Sequence, residues 1–400
     1  MKEIGACPDL LFLRVSRPMH VPGDSLASAT SESGVLIIHL LNQCNMHCRH
    51  CYMSALPDGG RMLPADIVCR ALSEARLLGI RTVHLTGGEP FMYPDLRHVV
   101  EFAAEQQEFQ LFISTNGTRI GGAEAQWMRA AGVGAQISID GPEEYHDRFR
   151  GMPGAFAASS HAIQKLVQVG VPVTVVVTIT RDNLDCLPWL AEWALFNRVG
   201  RISVQPLQAV GRGSHIADSR LSEQQLCTLF ARVSDLGHAY ANTSLRFSLH
   251  CKARSFLLKH PCAAYVCNGA RCHRLLVKEL KRLIIREDGL VLPEIATLNP
   301  RFALGNVREA TLPDLVRNYF SSGYAAFQDF CRAVYHEVVT CSTSPIIAWD
   351  EIVSERSWNP QEALRVPPSR STLSKQPDGS KLVCLTSLLP VEIHICSDSR

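Results

Sequence analysis

The stretch Leu40-Leu41-Asn42-Gln43-Cys44-Asn45-Met46-His47-Cys48-Arg49-His50-Cys51-Tyr52 spaces three cysteines as C-x-x-x-C-x-x-C, directly after the apolar run Val35 to Leu41. Three soft thiolates on one short loop match three corners of a cuboidal iron–sulfur cluster. Ordinary clusters of that type take four Cys ligands, and here the local count stops at three. One iron then lacks a protein ligand and can hold a small molecule, which points to an enzyme rather than a simple electron carrier. Zinc is the rival, since a structural zinc wants four ligands and His47 or His50 can supply the last. Three plain buried thiols are the bland alternative.

Around this loop the chain alternates apolar runs with amphipathic stretches. The strand-like runs are Val35–Asn42, Thr82–Thr86, Gln110–Ser114, Ala135–Ile139, Val171–Thr180 and Arg201–Gln205. Helix-like stretches lie between them, at Leu63–Leu78, Asp95–Gln106, Ala123–Ala131, Ala155–Val169 and Asn183–Phe196. Six strands with five helix-length connections read as βαβ units and a parallel sheet. Their near-continuous apolar character suits a sheet covered by helices. Periodicity alone leaves an open doubly wound sheet and a barrel equally allowed. The cysteine loop, just after the first strand, sits where parallel sheets carry their sites.

Other segments carry two readings each. In Thr86-Gly87-Gly88-Glu89-Pro90, the glycines remove side chains where backbone must approach a ligand closely, and Pro90 fixes the turn; a plain strand-to-helix turn reads the same way. Ser138 and Asp140 share one strand face, or form a turn pair before Gly141-Pro142. Asn116 is a turn residue with Gly117 or a polar contact to a cofactor. Asp147 and Arg150 can clamp a carboxylate through charge-assisted bonds, or belong to a surface salt-bridged loop.

The chain has 400 residues, 46% of them hydrophobic and 20% charged, which is ample for two or three globular domains. A net charge of +2 gives no argument for nucleic acid as a partner. No basic segment followed by an apolar core opens the chain, and no apolar run reaches bilayer length, so a cytoplasmic, membrane-free location is expected. Fifteen cysteines in such a setting read as metal ligands rather than disulfides. A second group, Cys251, Cys262, Cys267 and Cys272 with His273, is equally suited to a cluster or to zinc. It precedes a hairpin signal at Asp288-Gly289. Arg365 to Ser380 is rich in Pro, Ser and basic residues and reads as a linker or disordered end.

The three cysteines with His50, Tyr52, Thr86–Pro90, Ser114-Thr115-Asn116-Gly117-Thr118, Ser138-Ile139-Asp140-Gly141, Gln205-Pro206 and Gly211-Arg212-Gly213 together resemble the radical S-adenosylmethionine (radical SAM) superfamily. The likeness runs from about Val35 to Gly213. It implies a partial (β/α)6 barrel whose Cys44, Cys48 and Cys51 hold a [4Fe-4S] cluster. The open iron is then chelated by the amino and carboxylate groups of S-adenosylmethionine, and an electron from the cluster yields a 5′-deoxyadenosyl radical that abstracts hydrogen from substrate. By the same resemblance Gly87, Gly88, Glu89 and Pro90 meet the amino group, while Ser138 and Asp140 lie near the ribose, with Asn116 close by.

The later part resembles SPASM or twitch extensions, implying a smaller α+β domain with an auxiliary [4Fe-4S] cluster on some of Cys251, Cys262, Cys267 and Cys272. In that pattern a cysteine also follows the hairpin just after a proline. Here Glu294 takes that place, and only Cys331 and Cys341 remain of the usual later run. The implied division is an N-terminal extension 1–34, a barrel 35–215, a linking helix 216–250, the extension domain 251–345 and a partly disordered tail 346–400. The implied substrate is a ribosomally made peptide that gains a crosslink, a thioether or an epimerised residue, with flavodoxin or ferredoxin as electron donor. Tetrapyrrole or quinone biosynthesis is a second reading, sulfatase-type Ser or Cys oxidation a third, and a non-catalytic iron–sulfur or zinc electron-transfer module the rival from another class.

Overall fold

A computed structural model of the chain describes residues 34–58, 60–106, 109–266, 280 and 282–358. Seven parallel strands form its frame: β1 (Gly34–Leu41), β2 (Ile80–Gly87), β3 (Gln110–Thr115), β4 (Gly134–Ser138), β5 (Val173–Ile179), β6 (Arg201–Pro206) and β7 (Arg246–Leu249). They lie in strict chain order across the sheet. The intervening helices are α1 (Ala65–Leu77), α2 (Leu96–Glu105), α3 (Gly122–Ala130), α4 (Glu143–Arg150), α5 (Ala155–Gln168), α6 (Leu187–Phe196) and α7 (Glu223–Ala239). Crossovers between parallel strands are right-handed, so neighbours added always in one direction put every helix on the same face. That arrangement makes a barrel-type sheet rather than a doubly wound one.

Burial follows from it. In β3 and β5 residues alternate between fully and half buried. Leu36, Ile38, Leu85, Ile113, Val175 and Val204 are fully buried in the main core. The opposite face carries His84, Phe112, Gln136, Ser138, Thr178 and Ser203, all but Ser203 half-buried. The expected cover of helices thus lies on one face of the sheet, and the other is half-buried and more polar.

Beyond β7 come β8 (Lys252–Ala253), α8 (Arg254–Lys259), the hairpin β9 (Arg282–Ile285) and β10 (Leu290–Pro293), and β11 (Gly305–Asn306). The expected hairpin forms, but it is not set apart: β9 pairs in parallel with β1, Leu36 opposite Leu283 and Ile38 opposite Ile285. One sheet thus runs across the boundary drawn at residue 251, and β7, expected within a linker, closes onto β6. Then follow α9 (Leu312–Ser322), α10 (Tyr324–Tyr335), β12 (Ile346–Ile347) and α11 (Trp349–Trp358). The first part of the expected tail is ordered: β12 pairs with β8, and Trp349 is 1% exposed. The segments 1–33, Arg365–Ser380 and the remaining tail lie outside the described residues. Among the described residues no helix is long and apolar enough to cross a membrane.

Candidate active site

The cysteine loop leaves the carboxyl end of β1 and is gripped from several sides. Cys44 and Cys48 are buried with Met46 and Ala55 in one small cluster, and half-buried Cys51 packs against it with Met152. Each sulfur has its own N–H neighbour. Cys44 has the Asn116 Nδ2 at 4.0 Å, Cys48 has the Arg150 Nη1 at 3.9 Å, and Cys51 accepts from the Ala55 backbone at 3.4 Å. Arg212 ties the loop down, donating to the Cys48 carbonyl at 2.9 Å and the Ala55 carbonyl at 2.6 Å. Its place in Gly211-Arg212-Gly213 was visible in the sequence, but its partners lie 164 and 157 residues away.

The Gly87–Pro90 segment packs on the same loop. The Gly88 N–H donates to the Leu41 carbonyl at 2.7 Å, and the Glu89 N–H to the Gln43 carbonyl at 2.8 Å. A Cβ on Gly88 would stand 2.0 Å from the Gln43 carbonyl oxygen, and one on Gly87 2.3 Å from that of Leu41. The close approach that demands glycine here is thus made by the protein's own backbone. Glu89 is fully buried and engaged within the protein: Oε1 accepts from Thr115 at 2.6 Å and Phe91 at 3.0 Å, Oε2 from the Asn116 N–H at 2.9 Å. It pins the end of β2 to the end of β3, with buried Pro90 opening the turn beside it. Asn116 is both turn and site. Its Oδ1 accepts from Thr118, while Nδ2 reaches Asn45 at 2.8 Å and the Cys44 sulfur.

Ser138 is half-buried on the polar face at the end of β4. Asp140, two residues on, is fully buried and held inside the protein. Oδ1 accepts from the Thr178 N–H at 3.0 Å, and Oδ2 from the Arg150 Nε at 2.6 Å. Burial is the largest single influence and disfavours its charge, but Arg150, His50 and His146 together outweigh it and lower the pKa to about 2. His146, beside it, receives the Asp140 N–H on Nδ1 at 3.1 Å, and burial lowers its pKa to about 4. The segment expected as a loop is α4, so Arg150 arrives from a helix end. Asp147 does not join it; its carboxylate accepts the N–H groups of Gly154 and Phe156 at the start of α5. Buried Asn183, which carried no signal in the sequence, locks this corner by bonding the Asp140 and Thr178 carbonyls at 2.8 and 2.9 Å.

The donor set suits a cuboidal cluster better than zinc. His50 is stacked on Phe149 with ring centroids 4.1 Å apart, and His47 is exposed, so neither completes a set with the cysteines. Among the described residues no three His, Cys, Asp or Glu side chains converge on a single metal ion. Three separate sulfurs, each met by an N–H, instead match one thiolate per iron. Burial pushes the Cys44 thiol up to about 12 and raises that of Cys48, against which Arg150 acts. A metal must therefore displace protons from these thiols on binding.

Residues 38–194 match the model of the radical SAM superfamily. The chain contains a radical SAM domain. Among its relatives, Fe-coproporphyrin III synthase of Methanosarcina barkeri is 28% identical over 207 residues, 51% of this chain and 52% of that protein. The sporulation killing factor maturation protein SkfB of Bacillus subtilis is 31% identical over 172 residues, 43% of this chain and 41% of that protein. The crystal structure of Streptococcus suis SuiB bound to the precursor peptide SuiA superposes with a TM-score of 0.59 at 18% identity, over 74% of this chain and 67% of SuiB. This chain spans about half the length of the curated relatives it matches.

Outside the radical SAM domain, the second cysteine group is only partly described. Cys251 is buried against Cys227, Phe230, Ile346 and Ala348. Cys262 is exposed on a short turn and disulfide-bonded, while Cys267, Cys272 and His273 lie outside the described residues. Glu294 is buried in a left-handed conformation, φ 62°, and accepts from the Tyr265 hydroxyl at 2.6 Å and the Arg282 N–H at 3.2 Å. Cys331 is fully buried in α10. Cys341 is exposed and 3.5 Å from the His336 Nε2.

Proposed function

We propose that the chain is a radical SAM enzyme that makes a 5′-deoxyadenosyl radical from S-adenosylmethionine and uses it to abstract hydrogen from a ribosomally synthesised peptide. The observation that carries this reading is the set of three thiols in the radical SAM domain, each with its own N–H donor. Bound there, a [4Fe-4S] cluster carrying S-adenosylmethionine supplies the electron and the radical. The protein's share is to hold three thiolates, to orient the nucleotide and to keep water from the reacting atoms. In this reading Gly87, Gly88, Glu89 and Pro90 shape the wall beside the cluster, partly through backbone, and Asn116, Ser138 and Asp140 frame the opening at the carboxyl ends of β3 and β4.

Peptide as substrate is supported by the likeness to SkfB, a maturation protein, and by the fold shared with SuiB, solved with its precursor peptide. Crosslink, thioether and epimerisation all begin with the same hydrogen abstraction. The relative named for coproporphyrin chemistry supports the second reading, in which the substrate is a tetrapyrrole or another cofactor precursor. An auxiliary cluster on some of Cys251, Cys262, Cys267 and Cys272, to which Cys262 contributes only once its disulfide is reduced, and a flavodoxin or ferredoxin as donor, belong to the same proposal.

The test is anaerobic reconstitution with iron and sulfide, followed by S-adenosylmethionine and dithionite. 5′-Deoxyadenosine is expected from the wild type and none from Cys44→Ala, Cys48→Ala or Cys51→Ala. A fully loaded wild type that releases none refutes the enzyme and leaves an electron-transfer module. Co-expression with a candidate precursor, read by mass spectrometry for hydrogen loss or deuterium uptake, then separates peptide from tetrapyrrole.

A further inference from the structure

Of the donors that meet the three sulfurs, Arg150 alone is charged; the sequence marks it, with Asp147, as a carboxylate clamp, and only the fold brings it to a cysteine. Helix α4 delivers it to a residue 102 positions earlier. The helix ends at Gly151, φ 65°, where a Cβ would stand 2.6 Å from the His47 carbonyl oxygen. Glycine thus lets the helix end rest directly on the cysteine loop. The Phe149 carbonyl accepts the Arg49 N–H at 3.0 Å, and Phe149 stacks on His50. Two edges of one planar guanidinium are then used at once: Nε lies 2.6 Å from Asp140 Oδ2, and Nη1 lies 3.9 Å from the Cys48 sulfur. The Arg150 side chain is 10% exposed and that of Asp140 0%. A lysine, with one point charge on a flexible stem, cannot fill both places.

We infer that Arg150, fixed by Asp140, raises the reduction potential of the centre held by Cys48. This rests on the cluster reading above. Reduction adds one electron, and its negative charge spreads onto the thiolate sulfurs. A buried cation beside one of them favours the reduced form, because charges interact more strongly away from water. Asp140 offsets part of this effect, but it lies behind Arg150 as seen from the sulfur. Arg150 is thus a positioning and tuning residue rather than a catalytic one. It also makes the three corners unequal, since Asn116 and the Ala55 backbone bring neutral donors to Cys44 and Cys51.

The experiment is a dithionite titration of the anaerobically reconstituted full chain, without S-adenosylmethionine, followed by EPR of the reduced centre. Iron and sulfide content are measured first. Arg150→Met is expected to load a cluster whose midpoint is more negative, by about a tenfold change in the reduction equilibrium, which is about 59 mV for one electron. Arg150→Lys should fall between this variant and the wild type. If Arg150→Met leaves too lonely a carboxylate to fold, Asp140→Asn/Arg150→Met removes both charges and should still shift the midpoint negative, by less. Equal midpoints in loaded wild type and variants overturn the inference while leaving the cluster reading intact. Variants that lose only affinity for S-adenosylmethionine, or only cluster content, overturn it as well. A wild type that takes up no iron overturns the cluster reading itself and this inference with it.

Discussion

At the carboxyl ends of β1 to β4, three cysteines lie beneath a web of donors that reach them from the ends of β3, α4 and β6. In the stretch that precedes the β9–β10 hairpin in the chain, equally rich in soft ligands, Cys251 sits among mostly apolar side chains and Cys262 is exposed. The place of a ligand just after Pro293 is taken by Glu294, already engaged by Tyr265 and Arg282. Cysteine density is similar in the two regions; what differs, for the described Cys251, is the environment of the sulfur. In the first region each sulfur has an N–H aimed at it, two from the distant Asn116 and Arg150 and one from Ala55, four positions on from Cys51. In the second region the described polar groups are spent on one another.

The sharpest way to break this contrast is at Gly88. A Cβ 2.0 Å from a backbone carbonyl leaves nothing flexible to yield, so Gly88→Ala must push the cysteine loop away from β2. The expected cost is about 3 kcal/mol or more, with loss of iron uptake. Gly122→Ala, where a Cβ meets nothing within 4 Å, is the control and should be neutral or mildly stabilising. Thermal melts and iron analysis of both decide it. A Gly88→Ala chain as stable as wild type would mean that the glycine serves only a bound ligand.

Arg212 comes next. Its two bonds to the Cys48 and Ala55 carbonyls are charge-assisted and tie β6 to the loop across the sheet. Arg212→Ala should cost about 2–3 kcal/mol and raise hydrogen exchange selectively between residues 42 and 56. Faster exchange spread evenly over the barrel would deny it the role of a local clamp.

Much of the first region was readable beforehand because its signals are local. A cysteine triplet, a glycine pair and six apolar runs each declare themselves within a dozen residues, and all six expected strands and five of the six helices between them form close to where periodicity puts them. What escaped has a common physical character. Helix α4 is short and strongly charged, so it has no apolar stripe to announce it. The parallel pairing of β9 with β1 joins segments about 250 residues apart, and no pattern in either strand names its partner. The two assigned carboxylates, Glu89 and Asp140, look like ligand-binding groups in sequence, yet in the fold their oxygens are filled by protein donors. Residue type reveals chemistry; only the surroundings reveal whether that chemistry is spare.

The two buried acids carry the comparison into pH. Asp140 has Arg150 at 2.6 Å, and its pKa falls to about 2. Its stabilising contribution is present above the ordinary carboxylate pKa and is lost as pH falls towards about 2. Glu294 goes the other way. Burial raises its pKa, and Arg282 only partly opposes this, because that arginine lies 2.8 Å from Asp350 and 3.6 Å from Glu294. The folded chain therefore keeps the Glu294 proton when the unfolded chain has lost it. Stability from this group falls as pH rises above the unfolded value, about 4.3, through its higher folded value. Glu294→Gln keeps the shape and removes the titration. It should cost about 1 kcal/mol near pH 5 for the altered bonds to Tyr265 and Arg282. The gap to wild type should then narrow, or reverse, by pH 8. Melting temperatures across that range, with iron content per chain measured alongside, separate the two uses of this side chain. Unchanged iron with a closing gap leaves Glu294 as an internal polar bolt. Iron lost from the reconstituted variant would make it a ligand, and the two regions would be more alike than their donors indicate.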